Sequence, residues 1–318
     1  MISAHPEPNP RVAVVGAGAM GSVYGAAMAA HGLDVTLVDV SAPLLEAIAR
    51  DGVRVTSGGE ERVVRLPATD QPAAIGPVDV VFFYVKGYHT PGAMALAAPL
   101  VDPGTAVVTL QNGWGNGDVL AARFGPERVV VGVSYHSATA LGPGRVARTT
   151  PDDVPTYVGP FVPAARAAAQ RVAAVLAAGG FHPTLTDDVA SEIWKKVTLN
   201  AAALPTAALT GYPAAPMADD ATLLALVDAL AAETVAVGQA AGLNVDLGER
   251  IAAIHQTLRR AGLGKASMLQ DVEADRRTEI ETINGAVVRL GEQHGIDVPL
   301  NLAMLALVRG RERARGLG

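Results

Sequence analysis

Gly16-Ala17-Gly18-Ala19-Met20-Gly21 places three glycines at the G-x-G-x-x-G spacing. The pattern carries little by itself. Its setting gives it meaning: it follows a β-branched run at residues 11–15 and opens an alanine-rich stretch. There the first glycine permits a tight turn, the second lets the backbone approach a pyrophosphate, and the third lets a helix pack close to its strand. The helix start offers unpaired N–H groups and a partial positive charge. Gly16, Gly18, Ala19, Met20 and Gly21 are therefore the expected contacts of a dinucleotide. Asp39 follows 18 residues after Gly21, at the end of the next strand-like run. An acid there accepts hydrogen bonds from the ribose hydroxyls and repels a 2′-phosphate. Val40, Ser41 and Ala42 follow with no arginine, so NAD is favoured over NADP as cofactor. The plainer alternative is a helix-capping aspartate.

Further polar groups lie where chemistry is done. Lys86 directly follows an apolar run at residues 78–85, and Gln111-Asn112-Gly113 follows another at 105–110. The carboxyl ends of strands in a doubly wound sheet face the ligand crevice. Asn112 there can donate and accept hydrogen bonds near the nicotinamide of a bound cofactor; the plainer readings are an ordinary strand-end lysine and a turn asparagine. Lys196 and Asn200 are four residues apart and share one helical face. Lys196 is also four residues from Glu192, so the bland reading is a solvated ion pair. Residues 265–285 hold many polar groups and, taken alone, form a charged amphipathic helix.

The elements that must position these groups are legible from periodicity. Strands are expected at residues 11–15, 35–39, 78–85, 105–110, 129–134, 156–158 and 184–186. Helices are expected at 19–31, 42–50 and 164–178, with a hairpin over 52–68 turning at Ser57-Gly58-Gly59. The alternation indicates an α/β fold with a doubly wound, Rossmann-type parallel sheet. From Asp187 the pattern becomes almost wholly helical, broken at Gly211, Gly242, Gly262-Leu263-Gly264 and Gly295. This divides the chain into a flexible tail at 1–10, a dinucleotide-binding domain at 11–186 and an all-helical substrate and catalytic domain at 187–318.

Half of the 318 residues are apolar and 18% are charged, as in a globular chain. A net charge of -6 gives no reason to expect a nucleic-acid partner. Arg309, Arg311, Arg313 and Arg315 read as a frayed, solvated end. With no cysteine, disulfides and cysteine-based zinc sites are excluded, and no metal-binding set stands out. The start lacks the apolar core of a signal peptide and no stretch reads as a membrane span, so a cytoplasmic location without a membrane partner is expected. The apolar run at 223–237 suits a core helix and leaves a homodimer possible.

Together these motifs resemble the ketopantoate reductase (2-dehydropantoate 2-reductase) family. The resemblance runs through roughly residues 11–305, in the family's order. Its parts are the glycine loop, Lys86, Gln111-Asn112-Gly113, the Trp194-x-Lys196-x-x-x-Asn200 helix, Ser267-Met268-Leu269-Gln270-Asp271 and Thr278-Glu279-Ile280-x-x-Ile283-Asn284-Gly285. The last two are the most specific. The resemblance implies Lys196 as general acid, Glu279 as the acid beside the substrate, and Ser267 as the holder of the substrate carboxylate. It implies Asn112 and Asn200 as pocket residues, and Lys86 as a lysine near cofactor and substrate. The implied reaction, 2-oxo acid to 2-hydroxy acid, needs a hydride to carbon and a proton to oxygen. A lysine whose pKa desolvation has lowered from about 10.4 suits the second role, and a nearby glutamate opposes that lowering.

The sequence departs from the family at two places. Members that use NADPH carry an arginine just after the second strand, where this chain reads Val38-Asp39-Val40. A second pocket asparagine, four residues after the position of Asn200, is here Leu204, followed by the expected Pro205. The stretch Thr210-Gly211-Tyr212-Pro213-Ala214-Ala215-Pro216 also lacks the family's polar residue. Losing a partner for a substrate hydroxyl changes selectivity, so the expected small-molecule substrate is a 2-oxo or 2-hydroxy acid more apolar than ketopantoate. The alternatives are a genuine 2-dehydropantoate 2-reductase, a dehydrogenase of imines or plain secondary alcohols, and a non-catalytic NAD-binding sensor. Retention of Ser267 argues against the dehydrogenase of imines or plain alcohols, and retention of Lys196 and Glu279 against the sensor.

Overall fold

The computed structural model describes residues 9–151 and 153–317. The flexible tail expected over 1–10 therefore lies outside the described residues, apart from Asn9 and Pro10; Asn9 Nδ2 donates to the Gly32 carbonyl at 2.6 Å. The chain forms two compact units. The first runs to Gln111 and resumes over Asn116–Val189; the second comprises Asn112–Gly115 and the chain from Ala190.

In the first unit the chain runs β1 (Arg11–Val15), α1 (Ala19–Ala30), β2 (Asp34–Val38), α2 (Ala42–Asp51), β3 (Val53–Ser57), β4 (Glu60–Val64), β5 (Ala68–Thr69), β6 (Val80–Phe83), α3 (Thr90–Ala97), β7 (Ala106–Thr109), α4 (Asn116–Phe124), β8 (Val129–Ser134), β9 (Ala138–Gly142), β10 (Arg145–Arg148), β11 (Thr156–Pro160), α5 (Arg166–Ala178) and β12 (Pro183–Leu185). The main sheet has the order β12-β11-β8-β7-β6-β1-β2-β5. From β1 the chain first builds toward β2 and then, after the β3–β4 hairpin, returns through β6 to the other side. The switch point, where such sheets bind ligands, thus lies between β1 and β6. Val12, Val14, Leu37, Phe82 and Val108 are fully buried in the core beneath it, as continuous apolar strands covered on both faces should be.

The sheet is parallel except at one pair: β11 runs antiparallel to β8. The chain between them makes the β9–β10 hairpin instead of a helical crossover, which alone returns a strand in parallel. The sequence does not show that hairpin, because Val146 is the one buried residue of its two strands and they lack a clean alternation. Its β10 pairs with β3 to form a second, four-stranded sheet in the order β4-β3-β10-β9. The hairpin expected over 52–68 is β3–β4, and Ala68–Thr69 joins the main sheet instead.

The second unit is helical: α6 (Val189–Thr210), α7 (Ala214–Asp219), α8 (Ala221–Ala240), α9 (Leu247–Ala261), α10 (Ser267–Glu273), α11 (Asn284–His294) and α12 (Pro299–Ala314). Helices end at each of the glycine breaks read from the sequence. Two expectations need correction. Residues 265–285 are not one helix: between α10 and α11 the chain leaves helical geometry at Asp275, with φ 47°, and forms a loop through Thr282. The Arg-rich end is not frayed, because α12 continues to Ala314. Arg309 pairs with Glu281 at 2.5 and 2.6 Å, and Arg315 with Asp275 at 3.1 Å.

By length and composition alone α8 is apolar enough to cross a membrane, whereas the sequence reading expects no such segment. Its two acids are bonded within the unit. Asp228 meets His255 at 2.7 Å, and Glu233 accepts the Leu300 and Asn301 N–H groups at 2.9 Å. Its face bearing Val227, Leu230 and Ala231 is core.

Candidate active site

In the first unit the glycine loop is shaped by sterics. Gly16 has φ +97°, and a Cβ there would stand 2.8 Å from the Val85 nitrogen. A Cβ on Gly21 would stand 1.9 Å from the Gly16 carbonyl oxygen, so α1 can begin this close to β1 only with glycine there. Gly18 differs: a Cβ would meet nothing within 4 Å. Gly18 is the N-cap of α1, no side chain caps that helix, and its first turn holds no acid. A helix start with free N–H groups beside open space fits a pyrophosphate. Ala19 and Met20 form the first turn.

Asp39 serves this loop directly. Its Oδ2 accepts the Ala17 N–H at 2.8 Å and its Oδ1 the Ser41 N–H at 3.0 Å. Each oxygen keeps a further lone pair for a hydroxyl. Asp39 caps neither neighbouring helix: the N-caps of α1 and α2 are Gly18 and Ser41, and neither helix has a side-chain cap bond. Val40 beside it is 76% exposed.

Lys86 follows β6 and precedes a short 3-10 turn at Gly87–His89. The segment that bears it is held by Gln111, whose role the motif alone does not show. Gln111 Nε2 donates to the Val85 carbonyl at 2.7 Å and to Thr90 Oγ1 at 3.0 Å, and Thr109 Oγ1 donates to its Oε1 at 2.9 Å. One amide therefore ties the segment bearing Lys86 to the end of β7.

In the second unit the structure brings together Lys196, Glu279 and Asn112. Lys196 and Asn200 lie one turn apart on α6. The bland partner is engaged elsewhere: Glu192 pairs with Lys195 at 2.7 Å. Burial drives the Lys196 ammonium down to about 8, and the Glu279 carboxylate opposes that shift. Glu279 itself is buried, on the loop between α10 and α11. Asn112 Nδ2 reaches its Oε2 at 3.4 Å.

The Asn112–Gly115 segment is laid against that loop by its backbone. Trp114 N–H donates to the Thr282 carbonyl at 2.8 Å, and a Cβ on Gly113 (φ +89°) would stand 2.2 Å from the same oxygen. Trp114 then meets Trp194 edge-on with ring centres 5.1 Å apart. Trp194, two residues before Lys196, is fully buried and donates from Nε1 to the Thr234 carbonyl of α8 at 2.9 Å. The Asn-Gly of the sequence motif is therefore a packing device as well as a pair of polar groups.

Asn200 is buried, and its side chain makes no hydrogen bond with any other described residue. Leu204, one turn further, packs partly against the core around Trp194. Pro205 has no N–H to give the Ala201 carbonyl, and Asn284 Nδ2 supplies that bond at 2.9 Å. Asn284 also donates to Asn301 Oδ1 at 3.0 Å, and Asn301 Nδ2 donates to Glu233 Oε2 at 2.8 Å. The Asn of the Ile283-Asn284-Gly285 motif thus repairs the break in α6 next to Asn200 and Leu204. Ser267 is exposed at the first position of α10, and no hydrogen bond links it to the other described residues.

Two family models match the chain: ketopantoate reductase PanE/ApbA over residues 12–163, and ketopantoate reductase PanE/ApbA C terminal over residues 188–312. The chain is 34% identical to a 2-dehydropantoate 2-reductase of Archaeoglobus fulgidus, over 95% of this chain and 98% of the relative. It is 31% identical to that of Halobacterium salinarum, over 95% and 99%. Among solved structures, a ternary complex of D-mandelate dehydrogenase with NADH and anilino(oxo)acetate superposes with a TM-score of 0.91 at 25% identity, covering 97% of this chain and 100% of that one. A 2-dehydropantoate 2-reductase of Geobacter metallireducens superposes with a TM-score of 0.89 at 30% identity, covering 94% and 99%. The chain belongs to the ketopantoate reductase family and is an NAD(P)-dependent oxidoreductase acting on CH–OH groups.

Proposed function

We propose that this enzyme interconverts a 2-oxo acid and a 2-hydroxy acid with NAD(H), using Lys196 as general acid, on a substrate whose side chain is more apolar than that of ketopantoate. The observation that carries the chemistry is the buried lysine of lowered pKa facing Glu279, with Asn112 on the same carboxylate. Residues 11–186 hold the dinucleotide and 187–318 supply the proton. Bound there, the nicotinamide supplies the hydride to the carbonyl carbon. Lys196 Nζ hydrogen-bonds the carbonyl oxygen and protonates it as charge develops. A pKa of about 8 leaves it charged at neutral pH yet willing to give up its proton. Glu279 keeps the ammonium in place, and Asn112 orients Glu279. Asn200 offers its unengaged amide to the substrate, and Ser267 takes the carboxylate. Lys86 lies with the cofactor-binding residues Gly16, Gly18, Ala19, Met20, Gly21 and Asp39.

The open space over Gly18 supports the cofactor assignment and separates it from a stability role. Gly18→Ala is expected to change the folding free energy by less than about 1 kcal/mol while weakening NADH binding about tenfold or more, since the methyl takes the place of the pyrophosphate. Calorimetric unfolding and a fluorescence titration on one preparation check both halves.

Leu204 supports the apolar substrate. A pocket that has lost a donor for the substrate hydroxyl no longer discriminates in favour of it. NADH of the mandelate dehydrogenase complexes and the acid bound in one of them are precedents within the same fold. The second reading, a genuine 2-dehydropantoate 2-reductase, is favoured by the names of the 31–34% identical relatives. Turnover of ketopantoate and its deshydroxy analogue 2-oxo-3,3-dimethylbutanoate decides between them. Comparable kcat/KM on the two is the expected result, and Leu204→Asn should shift the ratio toward ketopantoate by about tenfold or more. A strong wild-type preference for ketopantoate establishes the second reading.

A further inference from the structure

We propose that Glu312, on the last helix, is a positioning residue of the active site: it fixes Thr278 and thereby sets the Glu279 carboxylate against Lys196. The inference rests on the reading of Lys196 as the general acid. Thr278 and Glu279 are adjacent in a loop that has left helical geometry, so regular secondary structure does not hold them. One oxygen of Glu312 accepts both the Thr278 N–H at 2.7 Å and the Thr278 hydroxyl at 2.6 Å. Thr278 and Glu312 are 1% and 7% exposed, so these charge-assisted bonds act with little competition from water. The clamp is one residue from Glu279, and the Thr278 hydroxyl also accepts the Ile280 N–H at 3.3 Å on its other side.

Other charged groups surround the loop: Arg276 meets Asp271 at 3.2 Å, and Arg309 lies in the field of Glu312 as well as of Glu281. Arg309 of α12 pairs with Glu281, Arg289 of α11 donates to the Glu281 carbonyl at 3.0 Å, Arg277 adds its field to Glu281, and Arg315 meets Asp275. At the Lys196 end, Glu192 and Lys195 of its own helix pair with each other, and the carboxylate whose charge acts on Lys196 is Glu279. Glu312 therefore reaches Lys196 through the loop and not through its own charge. In sequence, Glu312 is one acid among four arginines, and nothing in its spacing connects it with residue 279.

Because Glu279 raises the Lys196 pKa, a loosened Glu279 lets it fall, and the alkaline limb of kcat/KM for reduction moves to lower pH. The test compares Glu312→Ala, Glu312→Gln and Glu279→Gln, and adds Glu312→Ala in the Glu279→Gln background. Glu312→Ala is expected to lower kcat/KM about tenfold and move the alkaline limb down by about half a pH unit or more. Glu312→Gln keeps an acceptor oxygen for Thr278 and should restore the limb. In the Glu279→Gln background Glu312→Ala should move it no further, since residues acting as a unit are not additive. If Glu312→Ala does not fold, Thr278→Val, which keeps the N–H bond and loses the hydroxyl bond, should give a smaller shift in the same direction. A lowered melting point with the limb unmoved, or a shift that persists in the Glu279→Gln background, overturns the role of Glu312. Lys196→Ala run alongside separates this from failure of the general-acid reading, which full activity in that variant would reveal.

Discussion

Lys196→Ala is expected to lower kcat for reduction by about 10³-fold with little change in NADH binding. The lysine supplies the proton and the field that stabilises the developing alkoxide, and both matter more in the transition state than in the ground state. Cofactor affinity should survive because the glycine loop and Asp39 belong to the first unit, whereas Lys196 is on α6. The wild-type pH profile carries the signature. With Lys196 at about 8, kcat/KM for reduction falls as pH rises through that value, because the acid has lost its proton. Oxidation of the hydroxy acid needs the neutral amine and rises through the same range. The lysine also costs stability. Its folded pKa is below that of the unfolded chain, so folding disfavours the charged form at neutral pH, and this penalty fades as pH rises from about 8 toward the ordinary lysine value. Lys196→Met should therefore melt no lower than wild type at pH 7, and higher if the thioether fills the space. Its advantage should vanish as the pH approaches 10.5. An inactive variant that is at least as stable is the mark of a charge kept for catalysis. Retention of wild-type activity in Lys196→Ala would remove Lys196 from the mechanism.

The fold class was legible because buried parallel strands and glycine-terminated helices announce themselves locally. β1 and β8 coincide with the runs read from the sequence, and every helix break read at a glycine is present. What stayed hidden depends on long-range partners. The β9–β10 hairpin pairs with β3, some 90 residues earlier, through half-buried strands of weak pattern. In the loop at 274–283 Thr278 bonds Glu312, and at the Arg-rich end Arg309 and Arg315 bond Glu281 and Asp275, none of which periodicity can reveal. The candidate site divides the same way. Its chemistry-bearing residues stand in motifs, and so do Gln111, Trp194 and Asn284, but the motifs do not show that these three place the others. Gln111 acts by tying down the segment with Lys86, Trp194 by anchoring α6 to α8, and Asn284 by satisfying a carbonyl that Pro205 leaves open. Each is a polar or aromatic residue whose partner is known only once the chain has folded.

Cofactor choice should turn on Asp39 and Val40, with a second effect as large as the first. Wild-type enzyme is expected to prefer NADH over NADPH by about 10²-fold in kcat/KM. A carboxylate within about 5 Å of a 2′-phosphate, at an effective dielectric of about 20, costs roughly 3 kcal/mol per unit charge. The obvious variant is the wrong one. Asp39→Ala removes the repulsion, but it also strips the acceptors from the Ala17 and Ser41 N–H groups, so the glycine loop loses its tie and both cofactors should bind worse. Asp39→Ser with Val40→Arg keeps a hydroxyl acceptor and puts a guanidinium at a position that is already 76% exposed, where it displaces no core contact. That pair should reverse the preference, lowering NADH efficiency and raising NADPH efficiency for a combined change of about 10³-fold. Steady-state kinetics with both cofactors on the three proteins measures it. If wild type already uses NADPH as well as NADH, the two backbone bonds are the whole role of Asp39, and the carboxylate is there to shape the loop.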